Sequence, residues 1–286
     1  YKDGLAITGK GKIVRQWPLV PGIDLAGRVL ESSSADYARG DRVVLTGWGV
    51  GEKYWGGYSQ RQRVQSKWLV PLPDGLESRQ AMALGTAGFT AMLCVMTLEE
   101  AGVTPDKGAV LVTGASGGVG SIAVAILAKL GYQVTAVSGK GGAGDFLRAL
   151  GAADILPRDE MSQPARPLEG QRWAGAVDTV GSTMLARVLA ETSYGGCVAA
   201  CGLAGGADLP TTVMPFILRN VSLRGVDSVS CPLERRKAAW QRLVTDLPAA
   251  ALGEIGQLAG LEQLPELAGR IVRGEIRGRI IVDPNA

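Results

Sequence analysis

Thr113-Gly114-Ala115-Ser116-Gly117-Gly118-Val119-Gly120 is the stretch whose residue types and spacing can do chemistry. Three of its glycines stand as G-x-x-G-x-x-G between residues 109–113, which read as a buried strand, and residues 119–130, which read as an apolar helix. Gly114 can turn the chain sharply, Gly117 lets the backbone approach a pyrophosphate, and Gly120 lets the helix lie close to the sheet. A helix that opens there offers unpaired N–H groups and the positive end of its dipole to phosphates. Glycine-rich turns also end strands for purely structural reasons, and it is the placement between strand and helix that favours a dinucleotide. No Gly-Lys-Ser/Thr follows, so the loop is not of the Walker type.

The next strand, residues 133–137, bears on which dinucleotide. It ends Val137-Ser138-Gly139-Lys140, with no acid to bond a ribose 2′-hydroxyl as NAD enzymes usually do. A hydroxyl, Ser138, and a cation, Lys140, stand where a 2′-phosphate would lie, and Arg158, after the third strand, offers a second cation. Lys140 has an alternative reading as a solvated loop lysine, as most lysines are. The missing acid favours NADPH.

Other chemistries are excluded by composition. The chain has 0 histidines, which removes His-ligated metals, Ser-His-Asp triads and imidazole proton relays within it. Cys94, Cys197, Cys201 and Cys231 are the only cysteines, and none are spaced C-x-x-C, so a zinc ribbon is not expected. Cys94, Cys197 and Cys201 sit in apolar segments and read as packed rather than reactive.

The elements that must position these groups follow from the rest of the pattern. At 286 residues the chain has room for one large domain or two ordinary ones, and 46% hydrophobic against 20% charged residues marks a globular protein. Thirty cations against 27 anions, well mixed, do not suggest a nucleic-acid partner. No signal peptide and no apolar run of about 18 residues is visible, so no membrane partner and a reducing cytoplasm are expected. Residues 1–85 read as short strands between turns: 23–30 interrupted at Gly27, 41–46, a glycine-rich loop over 47–57, and 62–70. Residues 81–101 look helical with a break near Gly85 to Gly88. From residue 109 strands and helices alternate, which predicts a doubly wound parallel sheet with helices on both faces. Residues 233–247 and 264–272 read as helices, and 278–282 as a terminal strand.

Several longer motifs carry a family resemblance. Val20-Pro21-Gly22-Ile23-Asp24-Leu25-Ala26-Gly27-Arg28-Val29 resembles the zinc alcohol dehydrogenase segment that reads Gly-His-Glu before Ala/Gly-x-Val, with Ile23-Asp24 in place of His-Glu. Gly56-Gly57-Tyr58, Pro71-Leu72-Pro73-Asp74-Gly75-Leu76, Gly85-Thr86-Ala87-Gly88-Phe89-Thr90-Ala91, Asp178-Thr179-Val180-Gly181 and Gly278-Arg279-Ile280-Ile281-Val282 fit the same superfamily, the medium-chain dehydrogenases/reductases. The start from Tyr1 to Lys12, with Leu45-Thr46-Gly47-Trp48-Gly49-Val50-Gly51 and Pro215-Phe216-Ile217-Leu218-Arg219-Asn220-Val221, resembles its zinc-free quinone oxidoreductase branch, closest to the acrylyl-CoA reductases. The family's opening β-strands and the Asn before Tyr-Lys-Asp are not matched, so an incomplete N-terminal barrel is expected.

The resemblance implies an α/β fold: a Rossmann NADPH-binding domain over 85–231 and a GroES-like β-barrel substrate domain over 1–84 with 232–286. It implies cofactor contacts at Ser116, Gly117, Gly118, Val119, Ser138, Lys140 and Arg158, places Leu203 and Ser228 near the nicotinamide end, and turns Tyr1 toward the cofactor. It also implies hydride transfer to the β-carbon of an activated double bond, with Tyr1 or water protonating the α-carbon. Tyr1, Asp3 and Asp24 are the candidate catalytic residues. For the two acids structural roles stand ahead, since a carboxylate ionised near neutral pH is a poor proton donor. Lys10, Lys12 and Arg15 are either a CoA phosphate patch or a solvated loop, and Trp48 and Trp55 line a substrate mouth or a local core. Acrylyl-CoA, an enoyl-CoA reduced to propionyl-CoA, is the substrate the resemblance implies; a quinone substrate and a non-catalytic NADPH-binding role are the alternatives, with no metal. Dimers paired through the nucleotide sheet, at an edge strand over 222–229, are expected.

Overall fold

The computed structural model describes residues 1–139 and 141–286. Its chain divides into two units: Tyr1–Phe89 with Ser228–Val244 and Ile255–Ala286, and Thr90–Asp227 with Thr245–Glu254. Lys140 lies outside the described residues.

Unit 1 opens with helix α1 (Lys2–Thr8) and continues through strands β1 (Asp24–Arg28), β2 (Arg42–Thr46) and β3 (Val70–Pro71), an antiparallel sheet in that order. Its core gathers Val43, Leu45, Val50, Trp68 and Leu69. Helix α2 (Ser78–Glu100) then carries the chain into unit 2. It is kinked at Gly85, inside the break that the sequence predicts. Among the described residues α2 alone is long and apolar enough to cross a membrane, but 83% of its apolar window is buried in the protein, as in a core helix.

Unit 2 alternates β4 (Val110–Val112), α3 (Gly118–Lys129), β5 (Val134–Ser138), α4 (Gly144–Ala149), β6 (Asp154–Pro157), α5 (Arg158–Met161), β7 (Trp173–Asp178), α6 (Ser182–Glu191), β8 (Thr192–Ala200), α7 (Met214–Arg219) and β9 (Ser222–Gly225). The strands form one parallel sheet in the order β6-β5-β4-β7-β8-β9. Buried strands such as β4 and β7, with no exposed residue, are what a sheet covered on both faces requires. The order reverses between β4 and β7, and the crevice outside the C-terminal ends of strands at such a switch point is where open α/β sheets bind ligands. The chain ends with α8 (Leu233–Asp246), α9 (Ala249–Ile255), β10 (Gly256–Gly260), α10 (Leu264–Val272) and β11 (Arg279–Asp283), β10 pairing parallel with β11.

Three expectations are corrected. Residues 2–8 are a helix, not part of a run of strands: α1 lies so close to α10 that a Cβ on Gly4 would stand 2.6 Å from Ile271 Cγ2. Residues 62–65 form no strand. Their alternation leads into a 3-10 turn, Ser66–Trp68, which buries Trp68 and leaves only Val70–Pro71 to pair with β2. The edge strand expected over 222–229 is shorter, Ser222–Gly225, because Ser228 and Val229 turn back onto the end of β2.

Candidate active site

In unit 2 the glycine loop is held from below by a latch between β4 and β7. Thr113 Oγ1 donates to Asp178 Oδ1 at 2.7 Å and accepts the Thr179 N–H at 3.0 Å. Thr179 Oγ1 returns a bond to the Thr113 carbonyl at 3.0 Å, and the Gly181 N–H donates to Asp178 Oδ2 at 2.8 Å. Asp178 is fully buried, and burial raises its pKa against these hydrogen bonds, which favour the ionised form. The latch sets the spacing of the two strand ends on either side of the switch point.

Above it the Ala115 N–H bonds the Val137 carbonyl at 3.0 Å, continuing the ladder into the loop. Gly117 is the N-cap of α3, and no side chain caps it. The first-turn amides of a helix have no intrahelical acceptor, so those of Gly118 and Val119 are available to an anion. Ser138 Oγ donates to Ser116 Oγ at 2.9 Å, which joins the end of β5 to the loop. Arg158, an exposed residue at the end of β6, lies against Gly139: a Cβ there would stand 2.5 Å from Arg158 Nε. Ser116, Gly117, Gly118, Val119, Ser138 and Arg158 therefore converge on one crevice, with a guanidinium where NAD enzymes carry an acid. The Lys140 expectation lies outside the described residues. Leu203 follows β8 on the same side, two-thirds exposed, in the turn that begins with Cys201 N–H on the Asp178 carbonyl. A dinucleotide phosphate fits this donor set: open amides, two hydroxyls and a cation.

Tyr1, Asp3, Asp24 and Ser228 belong to unit 1. Asp3, in α1, accepts the Ile23 N–H on Oδ1 at 3.0 Å, so it pins the loop before β1. Asp24 opens β1. It accepts the Thr86 N–H at 2.9 Å and the Thr86 hydroxyl at 2.5 Å, and pairs with Arg279 at 3.1 Å. Gly85 is what allows this. Its φ of 51° puts it in the left-handed region, and a Cβ would meet the Asp24 carboxylate and the Arg279 guanidinium. Burial, and the Asp24 charge after it, push the Asp3 carboxyl above the usual range; burial, with Asp3 beside it, raises the Tyr58 phenol as well. Tyr1, half exposed, is the N-cap of α1. Ser228 lies apart from this group, against the Gly47 turn.

Thr86, Arg279, Tyr58, Thr113 and Asp178 are the site residues for which sequence reasoning assigned no role. Motif matches mark Tyr58, Thr86, Asp178 and Arg279 as family positions, but only the fold shows which partners they meet. Cys94 and Cys197 are in the core, and their thiols are pushed up, Cys94 by its bond with Cys201 and by burial, Cys197 by burial, which makes them poor nucleophiles. Among the described residues no group of three or more His, Cys, Asp or Glu is placed to hold a metal. A groove of about 1520 Å³ runs along the open edge of β1 past Arg28, Arg61 and Arg63. Asp3, Asp24, Tyr58 and Arg279 line it as well.

Comparison with known proteins places the geometry in a family. The family described as "Zinc-binding dehydrogenase" matches residues 118–245, and that described as "Alcohol dehydrogenase GroES-like domain" matches residues 2–74. The probable acrylyl-CoA reductase AcuI of Escherichia coli strain K12 is 60% identical over 285 residues, covering 100% of this chain and 88% of its own. The acrylyl-CoA reductase AcuI of Ruegeria pomeroyi is 58% identical over 287 residues, covering 100% and 87%. The putative quinone oxidoreductase YhfP of Bacillus subtilis is 48% identical over 284 residues, covering 99% and 86%. The crystal structure of the yhdH oxidoreductase of Salmonella enterica in complex with NADP superposes with a TM-score of 0.98 at 60% identity, covering 99% and 87%. That of Bacillus subtilis yhfP with NAD bound superposes at 0.95 and 47% identity, covering 99% and 87%.

Proposed function

The chain belongs to the medium-chain dehydrogenase/reductase superfamily, in its zinc-independent quinone oxidoreductase and acrylyl-CoA reductase branch, and from that premise we propose that it is an NADPH-dependent reductase of acrylyl-CoA. The observation that carries the substrate is the end-to-end likeness to two proteins named acrylyl-CoA reductase, at 60% and 58% identity. Unit 2 is the cofactor domain and unit 1 the GroES-like substrate domain. When bound, NADPH supplies the hydride that goes to the β-carbon; with a proton on the α-carbon the products are propionyl-CoA and NADP⁺. The amides of Gly118 and Val119 bind the pyrophosphate, Gly117 lets it approach the main chain, and Ser116 orients Ser138 beside it. Arg158, with Lys140, binds the 2′-phosphate. Leu203 and Ser228 bound the nicotinamide end, and the Tyr1 hydroxyl or water returns the proton. Asp3 and Asp24 shape unit 1 and do not act on the substrate. The reading carries a cytoplasmic setting with it, in keeping with the low cysteine content.

Following NADPH oxidation with acrylyl-CoA and with a quinone in turn tests this. A kcat/KM for acrylyl-CoA about 100-fold above the quinone's is expected, the difference a site built for a thioester carbonyl can make. Reduction of the quinone alone supports the second reading, which the Bacillus subtilis relative favours. Tight NADPH binding without turnover of either supports a non-catalytic role. In the same assay Arg158→Glu raises the NADPH KM by about tenfold or more and leaves the NADH KM within about threefold, because a charge-assisted bond to phosphate becomes a repulsion.

The same reading includes a homodimer. β9 is an edge strand, and Val213, Ile217 and Leu218, in the segment that leads into it, are 64%, 71% and 55% exposed. An edge strand preceded in the chain by exposed apolar side chains supports strand-to-strand pairing of two copies. Light scattering is expected to give twice the chain mass of 29.8 kDa, and Ile217→Asp with Leu218→Asp to return it to one. A monomeric parent at micromolar concentration removes the dimer from the reading.

A further inference from the structure

Arg236 is fully buried, on the core stripe of α8 with Ala239, Trp240 and Leu243. These are the i, i+3, i+4 and i+7 positions that an amphipathic helix fills with apolar side chains. A guanidinium placed there must be met by acceptors. Its Nη1 donates to the Thr46 carbonyl at 2.8 Å and to Thr46 Oγ1 at 2.9 Å. Its Nη2 donates to the carbonyls of Ser228 at 3.1 Å, Val229 at 3.2 Å and Cys231 at 3.5 Å. The ring centroids of Trp48 and Phe89 lie 5.1 Å and 4.6 Å from its Cζ.

The residues it grips have one thing in common. Phe89 is the last residue of unit 1 before the chain enters unit 2, and Ser228 is the first on its return. Thr46 ends β2, and the turn after it is sealed to the same segment. A Cβ on Gly47 would stand 2.9 Å from the carbonyl oxygens of both Ser228 and Val229, and the Trp48 N–H donates to Val229 at 3.1 Å. One side chain thus fastens both ends of the excursion to a single turn of unit 1.

We propose that Arg236 is a positioning residue for the reduction: by gripping the Ser228 and Val229 carbonyls it holds in place the main chain that carries Ser228. The proposal rests on the function given above and on the place given there to Ser228. Planarity matters more than charge for such a grip. A lysine keeps the charge but replaces a rigid five-donor fork by three donors on a flexible stem. Arg236→Lys is therefore the primary variant, because Arg236→Met strips a buried segment of its donors and can fail to fold.

Two measurements on the whole chain decide it. The first is hydrogen exchange of the Trp48 amide, which needs no turnover. It is expected to accelerate about tenfold or more in Arg236→Lys, as the turn it closes on Val229 opens more often. The second is turnover per folded molecule. kcat is expected to fall about thirtyfold with NADPH affinity within about threefold, and C4-deuterated NADPH is expected to show a larger isotope effect on kcat as hydride transfer becomes limiting. A role in stability alone would lower the melting temperature and leave kcat and its isotope effect unmoved, and that result overturns the proposal. Unchanged Trp48 exchange also overturns it, whatever the activity. If the parent reduces neither acrylyl-CoA nor a quinone, the proposed function has failed, and the exchange result alone still accepts or rejects the grip.

Discussion

Gly120→Ala weakens NADPH binding by about 100-fold, read as a titration of cofactor fluorescence, the scale on which a misplacement of about 1 Å is felt in a preorganised site. A Cβ at this position would stand 2.5 Å from the Gly114 carbonyl oxygen, 2.7 Å from Ala115 Cα and 2.9 Å from the Gly114 carbonyl carbon. All three are main-chain atoms of the strand-to-helix turn, and none can rotate out of the way. The first turn of α3 has to slide off the loop, and it takes the amides of Gly118 and Val119 with it. Intrinsic propensity runs the other way, since alanine is better than glycine inside a helix by about 1 kcal/mol. Overpacking of a tight contact costs about 1–3 kcal/mol, so a net loss of stability is expected with the loss of affinity. Gly170→Ala is the control, because nothing lies within 4 Å of a Cβ there. NADPH affinity within about threefold of the parent in Gly120→Ala would mean that this loop does not cradle the pyrophosphate.

That loop was legible because its signal is local: a glycine spacing flanked by an apolar strand and an apolar helix within about twenty residues. The same holds for the alternation that builds the parallel sheet, and for α10, whose bounds match the pattern over 264–272. What was not legible depends on partners far along the chain. β10 has glycines at both ends and no β-branched residue, and exists because β11 lies beside it. Residues 62–65 alternate well but have no strand to pair with. α1 carries Gly4 in its first turn and is held by α10 rather than by its own propensity. The site divides in the same way. Ser116, Ser138 and Arg158 fall at strand ends that the βαβ pattern already orders. The Asp24–Arg279 pair joins residues 255 apart in sequence, which only folding brings together. Arg236 is a third kind of case. The helix was readable, but a charge on its core stripe looks like a solvated lysine or arginine until its acceptors are seen.

Asp24→Leu costs unit 1 about 3 kcal/mol or more, and the reason separates a structural carboxylate from a catalytic one. Three donors converge on Asp24: the Thr86 amide, the Thr86 hydroxyl and the Arg279 guanidinium, with side-chain exposures of 9% for Asp24 and 20% for Arg279. Removing the acid leaves Arg279 partly buried without this carboxylate, and it strips the carboxylate from the start of the helical stretch that resumes after Gly85, a capping contact worth about 1 kcal/mol by itself. In a chain of this size about 3 kcal/mol corresponds to a fall of roughly 6–12 °C in melting temperature. Asp24→Asn keeps an acceptor for Thr86 and loses the charge, so it should fall between parent and Asp24→Leu. A proton-transfer role predicts the opposite ordering of effects: Asp24→Asn would lower kcat by about 100-fold or more with little thermal cost. The expected result is a kcat within about threefold per folded molecule and a clear thermal loss. Asp24→Leu combined with Arg279→Met completes the argument, because replacing both members of a buried pair by apolar groups removes the stranded charge that makes the single variant costly. The double variant should recover at least half of the loss. If it does not, the Thr86 contacts rather than the ion pair hold this corner, and the Ile23-Asp24 dipeptide serves as a helix anchor where the zinc-binding relatives carry His-Glu.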